Sequence, residues 1–300
     1  MVRIARSTVP LLGLILFAAV AGCTADAPPP HTPRTAEGPV ETVEARLAEL
    51  RDNRLADYAR HSVPADLYDE LDAAWRAGAS RWPLTELPLD DRVPGFLQTL
   101  AAPGAERALG AVYRREFAGA HAELRSAAAT LTALGTRYVR SEGEYSADER
   151  AHYLQVADAL GHWARAAPLG DHRLAGTAIA RLTEAARRTG LDADGALERA
   201  GMEDSLRRLG PFFGQFKRVL AGYGLDLDAT LAAADVSLLE RDGDSARVRV
   251  RYALAGRPVE AYANLVRIDG RWYLVDALAH ARAQRPPAPE PPPALAAQGE

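Results

Sequence analysis

The chain of 300 residues contains one cysteine, Cys23, one lysine, Lys217, and two methionines, and only 7% of it is aromatic. A single thiol allows no intramolecular disulfide and no cysteine-rich metal site, so stability has to come from a packed core. Positive charge is carried almost wholly by arginine and is outnumbered, 36 Lys and Arg against 40 Asp and Glu, for a formal net charge of −4. Without a basic block the sequence has no electrostatic footprint for nucleic acid. There is no His-Glu-x-x-His, no aspartate-rich calcium loop and no Gly-rich phosphate loop behind a strand. The "GDS" at Gly243–Ser245 lacks the strand-to-helix setting of a nucleophile elbow. His152, His162 and His172 recur every ten residues. Ten residues turn a helix by about 280° net, so the first two do not share a face, and Pro168-Leu169-Gly170 interrupts the path to the third. Metal, cofactor and nucleic-acid chemistry therefore have no motif here.

What is present begins at the N-terminus, MVRIARSTVPLLGLILFAAVAGC: Arg3 and Arg6, an uncharged apolar run from Val9 to Val20, then small residues before Cys23. This is the layout of a secretory signal peptide over residues 1–22, its apolar part too short for a comfortable permanent membrane span. Val20-Ala21-Gly22-Cys23 resembles the lipobox of bacterial lipoproteins. The resemblance implies cleavage before Cys23, diacylation of its sulfur and usually acylation of the new N-terminus. At about 0.8 kcal/mol per buried methylene, two or more acyl chains hold a protein on a bilayer where one holds only marginally. Cys23 is thus read as the lipidation site and the lipid bilayer as a partner. By analogy with the sorting pattern of Gram-negative lipoproteins, Thr24 in place of Asp after the cysteine points to the outer membrane, facing the periplasm. Loss of residues 1–22 removes two arginines and leaves 34 basic against 40 acidic side chains. Residues 23–40 read as a Pro-rich tether and residues 285–300, "RPPAPEPPPALAAQGE", as a Pro-rich disordered tail.

The residues between them predict an α+β protein, with a predominantly helical domain over 41–234 followed by a four-stranded antiparallel β-meander over 235–284. Helices are expected at Glu41–His61, Ala65–Ala79, Arg92–Ala102, Glu106–Arg140 with a possible break near Gly119 or Gly135, Asp171–Thr189, Leu197–Leu209 and Pro211–Tyr223. Ser146 and Glu149 in "SADE" have the spacing of a capping box. After it, Tyr153, Val156, Ala157, Leu160, Trp163 and Ala164 recur as one apolar stripe. Pro83 and Pro88 make Ala79–Asp91 the main irregular connection. Trp75, Trp82, Tyr113, Tyr138 and "PFFGQF" at Pro211–Phe216 are read as core-filling aromatics.

From Asp235 the period becomes two, with turns at Asp242-Gly243, Gly256-Arg257 and Asp269-Gly270. A Gly256-Arg257 loop sets Leu254 against Val259 and Val250 against Ala263; an Asp269-Gly270 loop sets Leu265 against Leu274 and Ala263 against Asp276. One face then carries Val248, Val250, Tyr252, Leu254, Val259, Ala261, Ala263, Leu265, Trp272, Leu274 and Asp276, and is the expected core face. A three-residue first loop with left-handed Gly243 keeps Val236 and Leu238 on that face. The opposite face carries Arg247, Arg249 and Arg251 in a row.

A meander ending in "DGRWYLVDA" after a helical segment resembles the terminal sheet of cystatin-like and NTF2-like bacterial proteins. Together with "LRDNRLADYARHSVPADLYDELDAAW" and "GYGLDLDATLAAADVSLLERDGD" it is similar to a family of uncharacterised exported proteins of GC-rich proteobacteria, which implies no established activity. NTF2-like enzymes use cavity-facing acids, so Asp276 is the one catalytic candidate, set against a structural role for a carboxylate at a strand end. Tyr252, Trp272 and Asp276 are candidate walls of a small-ligand pocket. Arg247, Arg249 and Arg251 could hold an anionic partner; the plainer expectation is solvated arginines paired with Glu240 and Glu260. The sequence is read as a lipid-anchored periplasmic module that binds, with a possible envelope-protein partner. The alternatives are a small-ligand carrier with its pocket between meander and helices, and less favoured, an NTF2-like enzyme using Asp276.

Overall fold

The computed structural model describes residues 38–86, 92–141 and 145–285. The signal segment, Cys23, the tether before Gly38, Pro88 and all of the tail beyond Arg285 lie outside the described residues. The described helices are α1 (Pro39–Arg51), α2 (Leu55–Ser62), α3 (Ala65–Arg76), α4 (Val93–Ala101), α5 (Ala105–Glu116), α6 (His121–Ser141), α7 (Ala147–Ala166), α8 (His172–Thr189), α9 (Ala196–Ala200), α10 (Met202–Gly222) and α11 (Leu227–Ala232). A single 3-10 turn, Leu84–Glu86, interrupts the connection after α3. The strands β1 (Asp235–Asp242), β2 (Ser245–Leu254), β3 (Arg257–Ile268) and β4 (Arg271–Leu274) follow in meander order, and α12 (Val275–Ala283) closes the chain. The fold is thus α+β, helices first and an antiparallel meander last. Helices and sheet share one continuous core, from Val43 in α1 to Ala281 in α12. Among the described residues no helix is long and apolar enough to cross a membrane.

Local chemistry explains most boundaries. Ser146 and Glu149 form the expected capping box at the start of α7, each side chain taking a backbone amide of the first turn. Asp171 caps α8 by accepting from the amides of Arg173 and Leu174 at 2.8 and 3.0 Å. The long segment 106–140 breaks near Gly119, which adopts φ +79°, while Gly135 stays inside α6.

Two helix boundaries differ from expectation. The segment 41–61 is two helices, parted at Asn53 with φ +61°, a conformation that asparagine tolerates better than most residues. In the other direction, Pro211 does not end a helix: α10 runs through it from Met202 to Gly222. The break falls earlier, at Gly201 with φ +79°, where Asp72 of α3 accepts from the Met202 amide at 2.7 Å.

One contact explains both exceptions. Gly210, Gly214 and Lys217 share a face of α10 at i, i+4 and i+7. A Cβ on Gly210 would collide with the carbonyl oxygen of Asn53, and one on Gly214 would press on the Asn53 side chain. One turn on, the Lys217 ammonium, 0% exposed, donates to the carbonyl oxygens of Leu50 and Arg51 at 3.2 and 2.6 Å and to the Asp228 carboxylate. The chain's one lysine therefore caps the C-terminus of α1, where carbonyls lack helical partners and the helix dipole favours a cation. Burial lowers its pKa and Asp228 opposes that shift. These contacts flank Pro211 on both sides and hold α10 across the position where proline denies it a backbone hydrogen bond.

In the sheet, the Asp269-Gly270 turn gives the expected pairing of Leu265 with Leu274. The second turn is Ala255-Gly256 instead of Gly256-Arg257: both residues have positive φ, and Leu254 pairs with Arg257, Tyr252 with Val259 and Val250 with Ala261. The register moves by two residues, so every side chain keeps its face, and Val248 through Leu265 form the buried side as read from the sequence. The first loop is the two residues Gly243-Asp244, with the extra residue accommodated by a bulge between Leu238 and Glu240. Val236 and Leu238 pair with Val250 and Val248, though Leu238 is 47% exposed at the open edge. β4 stops at Leu274, so Asp276 lies in the first turn of α12 and does not face Ala263.

Replacing Lys217 by Met leaves two helix-end carbonyls and the partly exposed Asp228 without their cation and should cost about 1–3 kcal/mol, read from urea midpoints. Gly210→Ala should cost about 1–3 kcal/mol because backbone must move. Gly222→Ala, which meets nothing within 4 Å on the same helix, should be neutral or slightly stabilising.

Candidate functional site

α7 brings the sequence's candidate polar groups nearest to one another. It lies along β3 beyond the end of the short β4, where β3 would otherwise present an unpaired edge. Gln155 closes that edge: its Oε1 accepts from the Glu260 amide at 2.9 Å and its Nε2 donates to the Glu260 carbonyl at 3.4 Å, so a side-chain amide stands in for a neighbouring strand. On the core side of α7, His152 is 0% exposed and its Nε2 lies 2.8 Å from the Tyr252 hydroxyl. Burial lowers the His152 pKa to about 4 and raises that of Tyr252, so the pair is neutral at physiological pH.

Asp276 is half-buried in the first turn of α12. Desolvation raises its pKa, with a smaller contribution from the like charge of Glu149. It acts in turn on the buried Tyr153, whose ring stacks edge-on against Tyr145 at 4.9 Å. Asp276 therefore belongs to a tyrosine- and carboxylate-bearing junction of α7 and α12. Tyr252 and Trp272 are both buried on the inner sheet face. Tyr252 stands opposite Val259 and Trp272 opposite Arg267, eight residues further along β3. At ~3.3 Å per residue these positions are about 26 Å apart, so the two rings do not form one wall with Asp276. A shallow open depression of about 740 Å³ lies elsewhere, on α6, bordered by Ala122, Glu123, Ser126, Ala127, Thr130 and Leu131.

The arginine row is engaged by neighbouring groups. Arg247 pairs with Asp148 and covers the Tyr262 ring at 4.8 Å, while Arg249 and Arg251 lie 3.9 and 3.3 Å from Glu260. Glu260 thus takes the role expected of it, and Asp148 from α7 takes the one expected of Glu240. His162 is exposed beside Arg257, and His172 is exposed at the start of α8, both away from the buried His152. Among the described residues no three His, Asp or Glu side chains gather as a metal site requires. Trp75 and Trp82 are fully buried, as core aromatics should be, whereas Tyr138 is 51% exposed.

The most perturbed acid of the described residues was not singled out by sequence. Glu86, 4% exposed at the end of the 3-10 turn, accepts from the Trp82 indole at 2.9 Å and is hydrogen-bonded to Tyr58. Desolvation raises its pKa to about 8, and the two neutral donors only partly offset it. Beside Tyr58, an Arg46–Glu49 ion pair is buried within α1: Arg46 Nη2 donates to Glu49 Oε1 at 2.9 Å, Arg46 Nε lies 2.7 Å from Glu49 Oε2, and His61 Nδ1 lies 2.7 Å from Glu49 Oε1. A signal existed for that pair: Arg46 and Glu49 interrupt the apolar arc Val43, Leu47 and Leu50. Nothing in "PLTELP" marks Glu86 as buried.

Comparison with protein-family models, with curated proteins and with solved structures returned no match.

Two buried groups predict opposite pH responses. Folded Glu86 keeps a proton that the unfolded chain releases near pH 4.5, so its contribution to stability is complete below that pH and is lost as pH rises toward about 8. Folded His152 refuses a proton that the unfolded chain takes near pH 6.5, so its contribution is lost as pH falls toward about 4. Between pH 4.5 and 6.5 the two slopes oppose each other; above 6.5 Glu86 acts alone and should lower stability by about 2 kcal/mol by pH 8. In urea titrations Glu86→Gln should flatten the alkaline arm, and His152→Gln should make stability rise as pH falls from 6.5 to 4.5. A Glu86→Gln offset independent of pH would show the carboxyl to be ionised throughout.

Proposed function

We propose that this chain is a lipid-anchored envelope protein, tethered through acylated Cys23 to the outer membrane and facing the periplasm, which acts by binding an envelope component. The observation that carries the reading is the ordered succession of Arg3 and Arg6, the uncharged run Val9–Val20 and the lipobox-like Val20–Cys23. A Pro-rich tether up to Gly38 then leads into a body whose first helix is clamped by Lys217.

Binding is favoured over catalysis by what the candidate side chains do. The hydroxyl of Tyr252 meets His152, Trp272 is packed inside the core beneath Arg241, and the arginine row is paired with Asp148 and Glu260. Groups held in this way are costly to redeploy for chemistry, because freeing one leaves another buried and unpaired. Asp276, with its raised pKa, is the residue on which an enzymatic reading of the α7–α12 junction would rest.

In the native envelope, a fatty-acid analogue should label the wild-type chain and leave Cys23→Ser unlabelled. After a carbonate wash the wild type should remain with the membranes and the variant should appear in the soluble fraction. An unlabelled wild-type chain, or a washed variant still embedded, would remove the basis for the anchor.

A further inference from the structure

α6 differs from the other long helices in what it buries. Of its 21 residues only Ala128 is buried, whereas α7 buries five of 20. Its inner side packs on α7, where the bare Gly161 leaves room for Thr132. Ala127, Leu131, Leu134 and Tyr138 follow one another at spacings of four, three and four, which places them on a single stripe. That stripe is open: Leu131 is 68% exposed, Leu134 57% and Tyr138 51%. Phe117, at the corner leading into α6, and Val112 in α5 are exposed as well. The segment from Ala105 to Ser141 thus holds five of the nine large hydrophobic side chains exposed among the described residues.

The charge of this segment is inverted relative to the chain. It carries six arginines against three glutamates, a formal +3, within a protein of net −4. One of the glutamates, Glu106, is further committed to Arg187. At 100° per residue, Arg125 and Arg140 fall on the side of α6 away from the leucine stripe, Arg137 falls about 90° from it, and Glu123 borders its N-terminal end. An exposed stripe of leucine and tyrosine, arginines around the remainder of the helix and a net positive charge on the segment are features that a helix resting on an anionic membrane interface uses.

From these observations we infer that α6 is a second, reversible point of contact with an anionic lipid bilayer, Leu131, Leu134 and Tyr138 entering the interface and the segment's arginines attracted to lipid phosphate. A second copy of the chain fits less well, since one stripe of four side chains falls far short of the ~800 Å² that each partner contributes to a standard protein interface. A lipid surface requires less, because the anchor supplies proximity. The 15 peptide units from Cys23 to Gly38 can span no more than about 50 Å, so the body stays near the bilayer and a weak interfacial helix suffices. The inference rests on the anchor reading for that proximity alone.

The test uses the mature chain with Cys23→Ser, which has no acyl group, and sedimentable vesicles of phosphatidylcholine with or without an equal share of phosphatidylglycerol. The protein should pellet with the mixed vesicles, bind roughly tenfold more weakly to phosphatidylcholine alone, and be released by salt. Leu131→Gln with Leu134→Gln should weaken binding by roughly tenfold or more, with an unchanged circular dichroism spectrum and urea midpoint because both side chains are exposed. Failure to bind the anionic vesicles, or binding indifferent to the leucine pair, overturns the inference. So does a doubled mass in sedimentation that the leucine pair abolishes, which would assign the stripe to a second copy. Intact mass of the wild-type protein reads acylation separately, so loss of the anchor reading and loss of this one are distinguishable.

Discussion

The corner where α10 crosses the α1–α2 junction constrains the rest of the fold. Two glycines let the backbone of Asn53 approach α10, and the Lys217 ammonium then closes the end of α1 and holds Asp228 at the start of α11. One buried cation thus fixes α1 to the consecutive helices α10 and α11, with Lys217 more than 160 residues beyond Arg51 in the chain. Such a cation is costly to desolvate and is tolerated only because two carbonyls and a carboxylate surround it. α1 in turn packs on β1, β2 and β4, so the geometry at Lys217 propagates to the sheet. In a chain that otherwise uses arginine, the exception has a steric reason: a compact ammonium on a flexible stem fits between two helix ends where a planar guanidinium would need room for its fork.

The same economy recurs across the polar interior. Arg46–Glu49, Glu86 with Trp82 and Tyr58, and His152 with Tyr252 are all buried. Only the first is an ion pair; the other two are kept neutral by burial. Neutral pairs avoid the desolvation cost of charge while still fixing orientation, since each has few alternative partners inside the core. These groups stitch α1, α2 and the 3-10 turn together, and α7 to the sheet. They explain why an Ala-rich helical chain with few aromatics adopts one arrangement without a disulfide.

Where the determinants were local, they were legible in the sequence. The capping box at Ser146, the break at Gly119, the hairpin at Asp269-Gly270 and the alternation in β2 and β3 are set by residues within a few positions of each other. The second hairpin slipped by two because Ala255, a residue that rarely takes positive φ, does so beside Gly256; the even shift left the core face unchanged. Nonlocal determinants were hidden. Pro211 should break a helix unless something external holds it, and the holding groups, Asn53 and Asp228, are remote in sequence or on another element. Asp276 was placed at a strand end because alternation continues through "WYLVDA", yet the chain turns into α12. Of the candidate site, the arginine row and its partner Glu260 were readable from strand alternation. The buried Glu86 was not, because its burial is made by Tyr58 from another helix.

The helices divide by what limits their sequences. α1, α7 and α10 bury residues at almost every turn, and changes there are limited by packing, α1 against the sheet, α7 against Tyr252 and α10 against Asn53. α6 buries one residue in 21, so folding places almost no demand on its outer side. Exposed leucine at such positions gains nothing from the fold and invites aggregation. Leucines at stripe spacing and an overall basic charge in an acidic protein are what the proposed contact with a bilayer would draw on. For the lipid-anchored protein proposed above, the surface always at hand is the bilayer.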